Sequence, residues 1–558
     1  MPQSDFNAVT VTLSPGAAAR PTANVSMLLH NLTDAQDALM GPSRTKLIAP
    51  ATWQADLASL GISDGEAAYE SVQSHFSRPK KPVKAYLGRR GKDTQQVQTV
   101  VVPSVPSDGS YIISVSQAGV PAVGSPYFFA AVGSTQSSVR TGLVTNAGAG
   151  SAMFAVANGV GAGDITITSV VPGIPLDIAI SSPGSSMTKS VTVGTSVLAV
   201  TQVWTLDIGT AAVGNYVLTV KTTTGQKTYT HIATTGATAT TIRDGLASLY
   251  AGNPSDLFDA TMTPVLTDKA TLAASLAGRP GSITITSPAS DATVVVTTAN
   301  YGIVEDLTAI ASENQDWYCG LIGSRVAADL LLAREWVDGD GAHIIGVQSS
   351  DASILTDSTT DVFSLLKASG SIRCFGVQHH IDTEGIIEAW AADVLSKPVG
   401  SVAWVAKPLT GFTGRVLTAS EAQNLRSKEG SFLELFSARS ESIMNGGYSF
   451  GGRPIDITRA IDTMRSNQEI ALMDLSVKSD IIPYSELGQA RCLGVINTEV
   501  LRGIEAGYAI AGTFETTFGS IDEALENDRI RGIFPPFTTT GRIQAGGHKV
   551  ILNMELEQ

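Results

Sequence analysis

From residue 314 onward, short runs of β-branched and apolar residues alternate with longer segments whose apolar positions recur every three or four residues. "DWYCGLIGS" reads as a buried strand, "RVAADLLLAREWVDGD" as an amphipathic helix and "AHIIGVQ" as the next strand. "TTDVFSLLKASG", "IRCFGVQ", "DTEGIIEAWAADVLSK" and "VAWVAKPL" continue the alternation. Helices of this length between such strands predict a largely parallel sheet covered on both faces. Later helices are predicted near 420–429, 456–477 and 497–507. Upstream, Gly65 to Phe76 reads as a helix whose Ala67, Ala68, Val72 and Phe76 share a face. Pro79 and Pro82 end it, and Val83 to Leu87 is a strand of the core.

Between about 101 and 300 the pattern shortens to period-two runs broken by turn residues, with about 16 charged residues in the 200, which predicts an all-β region. This region repeats itself. "SYIISV" (110–115) matches "NYVLTV" (215–220), "TQSSVRTGL" (135–143) matches "TATTIRDGL" (238–246), and "DITITS" (164–169) matches "SITITS" (282–287), at offsets of about 103 to 118 residues. Two tandem β-domains follow, each with one short helix beginning near Val139 or Ile242.

Both ends of the chain alternate as half-buried strands do. "AVTVTL" sets Val9, Val11 and Leu13 against Ala8, Thr10 and Thr12; "HKVILNMELE" sets Val550, Leu552, Met554 and Leu556 against Lys549, Ile551, Asn553 and Glu555. Tethered by "SPGAAARP" and "TTTGRIQAGG", such strands either complete their own domain or add to the sheet of another subunit. The expected organisation is an arm and linker at 1–20, an α/β core split between 21–92 and 304–540, inserted β-domains at 93–200 and 201–303, and a C-terminal arm strand at 541–558. The fold class is thus an α/β core whose mixed sheet is built from both chain termini, plus two inserted tandem all-β domains.

With 558 residues the chain suits three or four domains, and at 16% charged residues its surface suits a subunit that buries much of itself against copies or partners. Cys319, Cys374 and Cys492 are odd in number, far apart and in apolar settings, and read as reduced core residues. The first residues lack the basic and apolar blocks of a signal peptide, and no run approaches a membrane span. A net charge of -14 argues against the whole chain binding nucleic acid. Seven positive charges nevertheless crowd "HFSRPKKPVKAYLGRRGK" (75–92). No aromatic stacking platform accompanies them. Arg78, Lys80, Lys81, Lys84, Arg89 and Arg90 are therefore expected to form a positive patch that meets an acidic face of a partner or neighbouring subunit.

Catalytic look-alikes are weak. "GYSFG" (447–451) places Ser449 in a G-x-S-x-G, but a polar segment precedes it, the next helix is delayed to Asp456, and His548 is the one base downstream. Asp338 and Asp340 in "VDGDGAH" lack the further ligands of a calcium loop. His379 and His380 in "QHH" lack partners at metal-ligand spacing. The glycines of "NGVGAGD" serve a turn. No catalytic, cofactor-binding or metal-binding residue is assigned, and no cofactor.

The order of segments, taken together, resembles a known family. "LLHNLTDAQDALMGPSRTKLIAPATWQADLASLGISDGEAAYESVQSHFSRPKKPVKAYLG" (28–88) looks like the opening of contractile tail sheath proteins of myovirus-type bacteriophages and related injection particles. "WVAKPLTGFTGRVLTASEAQNLRSKEGSFLELF", "NGGYSFGGRPIDITRAID", "IIPYSELG" and "AGGHKVILNMELE" follow in that family's order. The likeness covers about 1–92 and 305–558, and the repeated β-region looks like an insertion. What it implies is a non-enzymatic subunit polymerising as stacked six-fold rings around a tail tube, its arms pairing into neighbouring subunits. The implied partners are copies of itself, the tube protein, and baseplate and tail terminator or neck proteins, without direct nucleic-acid contact or membrane insertion. The implied location is a virion tail made in a bacterial host cytoplasm. The rival readings are an adhesin-like surface binder using the β-domains and a serine hydrolase at Ser449.

Overall fold

A computed structural model describes residues 8–11, 24–33, 36, 39–40, 43–93, 95–117, 120–121, 127–148, 154–170, 176–193, 196–197, 199–222, 225–252, 262–274, 281–436 and 441–544. The chain divides into two compact units, one of Met1–His30, Thr45–Gly88 and Ile310–Gln558, the other of Asn31–Arg44 and Arg89–Ala309.

The first unit is organised on a nine-stranded mixed sheet in the order Lys407–Pro408, Glu441–Asn445, Ser431–Phe436, Cys374–Gln378, Ile344–Ser349, Cys319–Ile322, Ser26–His30, Ala85–Arg89 and Thr45–Ile48. The strands from Ser431–Phe436 through to Ser26–His30 pair in parallel, as their near-continuous apolar runs require, and antiparallel pairs close both edges. The connecting helices Ala327–Asp340, Val362–Ala368 and Ile386–Leu395 fall where the periodicity places them. Ile386–Leu395 is apolar on nearly every side and is buried accordingly. In helix Ala67–Phe76, Ala68, Val72 and Phe76 turn inward while Ala67 is exposed.

Two elements depart from expectation. "VAWVAKPL" yields two strand residues, Lys407–Pro408, because Trp404 turns fully into the core. There its carbonyl accepts from Trp390 Nε1 at 2.8 Å, and its ring meets those of Phe375 and Trp390 edge-on, each at 5.1 Å. The helix expected near 497–507 begins eleven residues earlier and spans Glu486–Glu505. Gly488 obscures its start in the sequence; a Cβ there would stand 1.9 Å from the Pro483 carbonyl oxygen, so the close approach demands glycine.

The second unit contains one topology twice. In the first copy, Phe154–Asn158, Asp164–Ser169, Val97–Val101 and Thr188–Val193 form one antiparallel sheet. Gly109–Gln117 pairs with Asp177–Ser181, Tyr127–Ala131 and Val120–Pro121 in a second. In the second copy, Met262–Pro264, Lys269–Ala273, Val203–Asp207 and Thr293–Thr298 match the first sheet, and Gly281–Thr286, Gly214–Thr222 and Gly225–Ala233 the second. Helices Gln136–Ala147 and Ala239–Gly252 close the cores around Tyr111 and Tyr216.

Local devices repeat as well. The Tyr111 hydroxyl donates to Ser107 O at 3.1 Å and that of Tyr216 to Thr210 O at 3.2 Å. Gly109 and Gly214 take φ of 140° and 138°, and a Cβ on either would lie 2.7 Å from Pro183 or Pro288. These matches share a steady offset of about 105 residues, which corrects one pairing read from sequence. Asp164–Ser169 corresponds to Lys269–Ala273, while Gly281–Thr286 corresponds to Asp177–Ser181, in the other sheet. The shared "ITITS" is the alternation that any half-buried strand shows, and carries no register.

The repeats enter and leave at one stem. Lys92–Asp93 pairs with Ser196–Val197, and Val200 bridges to Tyr301, so the way in, the passage between copies and the way out lie side by side. Asp306, fully buried, ties them together. It accepts from Gly91 N at 2.9 Å, from Arg90 Nε at 3.2 Å and from the Tyr301 hydroxyl at 2.9 Å, with Arg44 Nη1 3.8 Å away. Asp306→Ala removes one member of a buried ionic cluster and is expected to cost about 3–5 kcal/mol, measured by urea denaturation, with faster proteolytic cleavage near residues 90–93.

Candidate assembly site

Strand Phe537–Thr540 is a run of aromatic and β-branched residues, which favours extended chain, and it pairs antiparallel with Glu515–Phe518. The ribbon sits on the helices Ile455–Lys478 and Glu486–Glu505. Phe537 packs with Leu472, Cys492 and Ile496, while Thr539 is buried beside it and its hydroxyl meets that of Thr516 at 3.0 Å. The other edge of Phe537–Thr540 receives Ala8–Val11, in the register Thr10↔Thr538, from the far end of the chain. A two-stranded ribbon is marginal by itself, so this third strand completes it.

The sheet predicted from the termini is thereby corrected. The backbone of Val9 and Val11 joins a separate three-stranded sheet, not the nine-stranded one, because the latter is already closed at both edges by its own antiparallel strands. Leu13, Val550, Leu552, Met554 and Leu556 lie outside the described residues.

The helices beneath the ribbon also carry an apolar face that the sequence reading missed. Ile470, Met473 and Val477, spaced along one side of Ile455–Lys478, are 57%, 47% and 79% exposed. Leu487 and Leu501 are exposed on Glu486–Glu505. The signal lay in the helical period, since residues 464, 468 and 472 already supply the buried stripe and this second stripe has no partner of its own in sequence.

The expected basic patch dissolves into inward-facing groups. Arg78 is buried; its Nη2 donates to Thr410 O at 2.9 Å, its guanidinium lies over the Phe412 ring, and burial lowers its pKa. Arg89 is buried with its Nε donating to Ser43 O at 3.0 Å, and Arg90 is buried against Asp306. Lys84 pairs with Asp316, which raises the pKa of its ammonium. Of the six, Lys80 and Lys81 are the exposed cations. Guanidinium forks satisfy loop carbonyls where the chain leaves a helix or strand, and that work draws the charges inward.

The catalytic look-alikes resolve into structure. Ser449 is buried in a closed turn, its Oγ donating to Arg453 O at 3.0 Å and accepting from Arg453 N at 3.2 Å; His548 lies outside the described residues. Asp340 accepts from the backbone of Ala342 and His343 and from His343 Nδ1, fixing a helix-to-strand turn, and Asp338 accepts from Ser371. His379 meets Glu384 at 2.9 Å, while His380 is exposed beside it. Cys319, Cys374 and Cys492 are free and buried, and burial raises each thiol's pKa. Among the described residues no group of three or more His, Cys, Asp or Glu is placed to hold a metal ion, and no helix is long and apolar enough to cross a membrane.

No protein-family model and no curated protein matches the chain. Solved structures similar to it include the anti-feeding prophage baseplate, at 14% identity and a TM-score of 0.37 over 46% of this chain and 73% of that one. A sheath tail protein from Listeria innocua aligns at 10% identity and a TM-score of 0.38 over 90% and 89%. The PVC extracellular contractile injection system sheath, in its contracted state, aligns at 10% and 0.35 over 46% and 75%. At TM-scores this low, no feature of those structures is transferred to this chain.

Because both of its hydrogen bonds are local, Ser449→Ala is expected to cost about 1–2 kcal/mol on thermal denaturation, and a fluorophosphonate serine probe is expected to leave the native protein unlabelled.

Proposed function

We propose that this chain is a structural subunit of a contractile tail sheath, polymerising as stacked six-fold rings around a tail tube and shortening to drive that tube through an envelope. The observation that carries the proposal is the terminal ribbon: a strand at residues 8–11 completes an edge built more than 500 residues later, across a connection through residues 12–23. A neighbour's first strand offers the same main-chain hydrogen bonds to that edge, so exchange between copies substitutes one pairing for an equivalent one. Val9, Val11 and Leu13, with Val550, Leu552, Met554 and Leu556, are the proposed mesh residues.

The segment order of the two core portions supports the same reading, as does the low charge content, which suits extensive burial between copies. The exposed Ile470, Met473 and Val477 stripe is surface that such burial would cover. In this scheme the tandem β-repeats decorate the outside. Tube, baseplate and terminator proteins are the other partners, and the particle is assembled in a bacterial cytoplasm. Energy stored in the extended lattice at assembly drives contraction without a nucleotide or other cofactor.

Negative-stain microscopy of the concentrated protein is expected to show rings or tubes of constant diameter; a monodisperse monomer at every concentration contradicts the proposal. Deleting residues 1–16 is expected to abolish polymers while the monomer still melts cooperatively. Met473→Glu, at an exposed position, should change monomer stability by less than about 0.5 kcal/mol yet weaken polymerisation in sedimentation.

A further inference from the structure

The hairpin of Glu515–Phe518 and Phe537–Thr540 sets Phe518 opposite Phe537, yet residues 519–536 lie between those two strands. Hairpin connections are commonly about 2–5 residues, and one much longer than that is usually there to bind something. This connection is shaped from within, around the short helix Glu526–Ile530. Ile533 N donates to Asp528 O at 2.8 Å and Arg529 N to Leu525 O at 3.0 Å. It is also fixed to the start of helix Glu486–Glu505: Gln489 Nε2 donates to Gly519 O at 3.0 Å, the Tyr484 hydroxyl donates to Ile533 O at 3.2 Å, and the Tyr484 and Phe534 rings lie 5.0 Å apart.

None of residues 519–536 is buried, although the segment carries large apolar side chains. Leu525 and Ile530 are 73% and 77% exposed, and Leu487, next to the Gly488 that lies close to the Phe534 ring, is 60% exposed. In the monomer these side chains contribute nothing to stability. Against another surface they would leave water, and a loop already held in shape has little conformational freedom left to lose on docking. Charge narrows the partner. Asp522, Glu523 and Glu526 bracket Leu525, are exposed, and are in no ion pair among the described residues; Arg529 and Arg531 follow them.

The same unit carries a surface of opposite sign. Between Arg78, anchored on Thr410 O, and Lys84, paired with Asp316, the chain runs through Pro79, Lys80, Lys81, Pro82 and Val83. The prolines fix φ on either side of the two lysines, and Pro82 is buried, so the lysines are held outward. Lys80 and Lys81 are exposed and in no ion pair among the described residues, and Val83 is 83% exposed. An apolar residue beside two cations thus matches apolar residues bracketed by carboxylates. We infer that loop 519–536 of one copy docks on the Lys80–Val83 knuckle of a second copy, with Leu525 and Ile530 against Val83 and the carboxylates against the two ammonium groups. The inference rests on the subunit reading above and names one contact within it. Apolar area supplies the affinity there, while the charges set register and exclude wrong pairings. Because the two surfaces differ, the contact is head-to-tail, the kind that closes into rings or propagates as a helix.

Charge reversal on the full-length protein tests this. In pelleting assays at low salt, Lys80→Glu with Lys81→Glu, and separately Asp522→Lys with Glu523→Lys, are each expected to raise the concentration needed for assembly by about 10-fold or more. The melting temperature of the unassembled protein should move little, because all four positions are exposed. Mixing the two variants is expected to restore assembly, since each then meets a neighbour of opposite charge at both contacts, and the protein with all four residues reversed should assemble alone. Added salt should weaken wild-type assembly and narrow its lead over the variants. Rings or tubes that form equally well with either reversal, or a mixture that stays as unassembled as its components, overturn this contact and leave the subunit reading intact. A wild-type protein that is monomeric at every concentration overturns both.

Discussion

The parallel pairing of Ser26–Leu29 with Cys319–Ile322 is the contact on which the rest of the molecule is hung. It inserts a strand from the start of the chain into the middle of a sheet whose other parallel strands come from the second half, and so makes everything from about residue 89 to 309 an excursion from one core. The cost is entropic, since a long loop must be closed before any of these bonds form, though that cost grows only slowly with loop length. The return is burial: Met27, Leu28 and Leu29 are fully enclosed, as are Leu321 and Ile322 beside them.

What the sequence made legible follows from how local each signal is. Strands such as Ile344–Ser349 and Cys374–Gln378 announce themselves by unbroken apolar runs between periodic helices, and the short helices of the two repeats lie within three residues of their expected starts. The pairing of Ala8–Val11 with Phe537–Thr540 had no such signal. Alternation says that a segment is a strand, but its partner is chosen by which edge is left open once the larger sheet has closed its own. The same limit misplaced Asp164–Ser169 against Gly281–Thr286, two segments with one pattern and different neighbours.

Charge was the least legible property. A run of cations in sequence suggests a surface, yet Arg78, Arg89 and Arg90 each point inward to carbonyls or to Asp306. A guanidinium presents five donors and suits the places where strands and helices leave backbone acceptors exposed, so composition alone cannot say which way it faces. The contact between helices Ala67–Phe76 and Ile386–Leu395, where Ser71, His75 and Glu388 are buried, shows the converse. Its polar residues sit at positions that an amphipathic helix reserves for apolar ones, and the sequence reading passed over them because Ser71 and His75 do not interrupt the helical period.

The stem at Lys92–Asp93, Ser196–Val197, Val200 and Tyr301 has a mechanical meaning. Because the passage between the repeats returns to the same place as the way in and the way out, both repeats are attached at one stem. A force pulling on the second repeat reaches Asp306 without travelling through the first, and either can be strained, clipped or lost while the other keeps its own attachment.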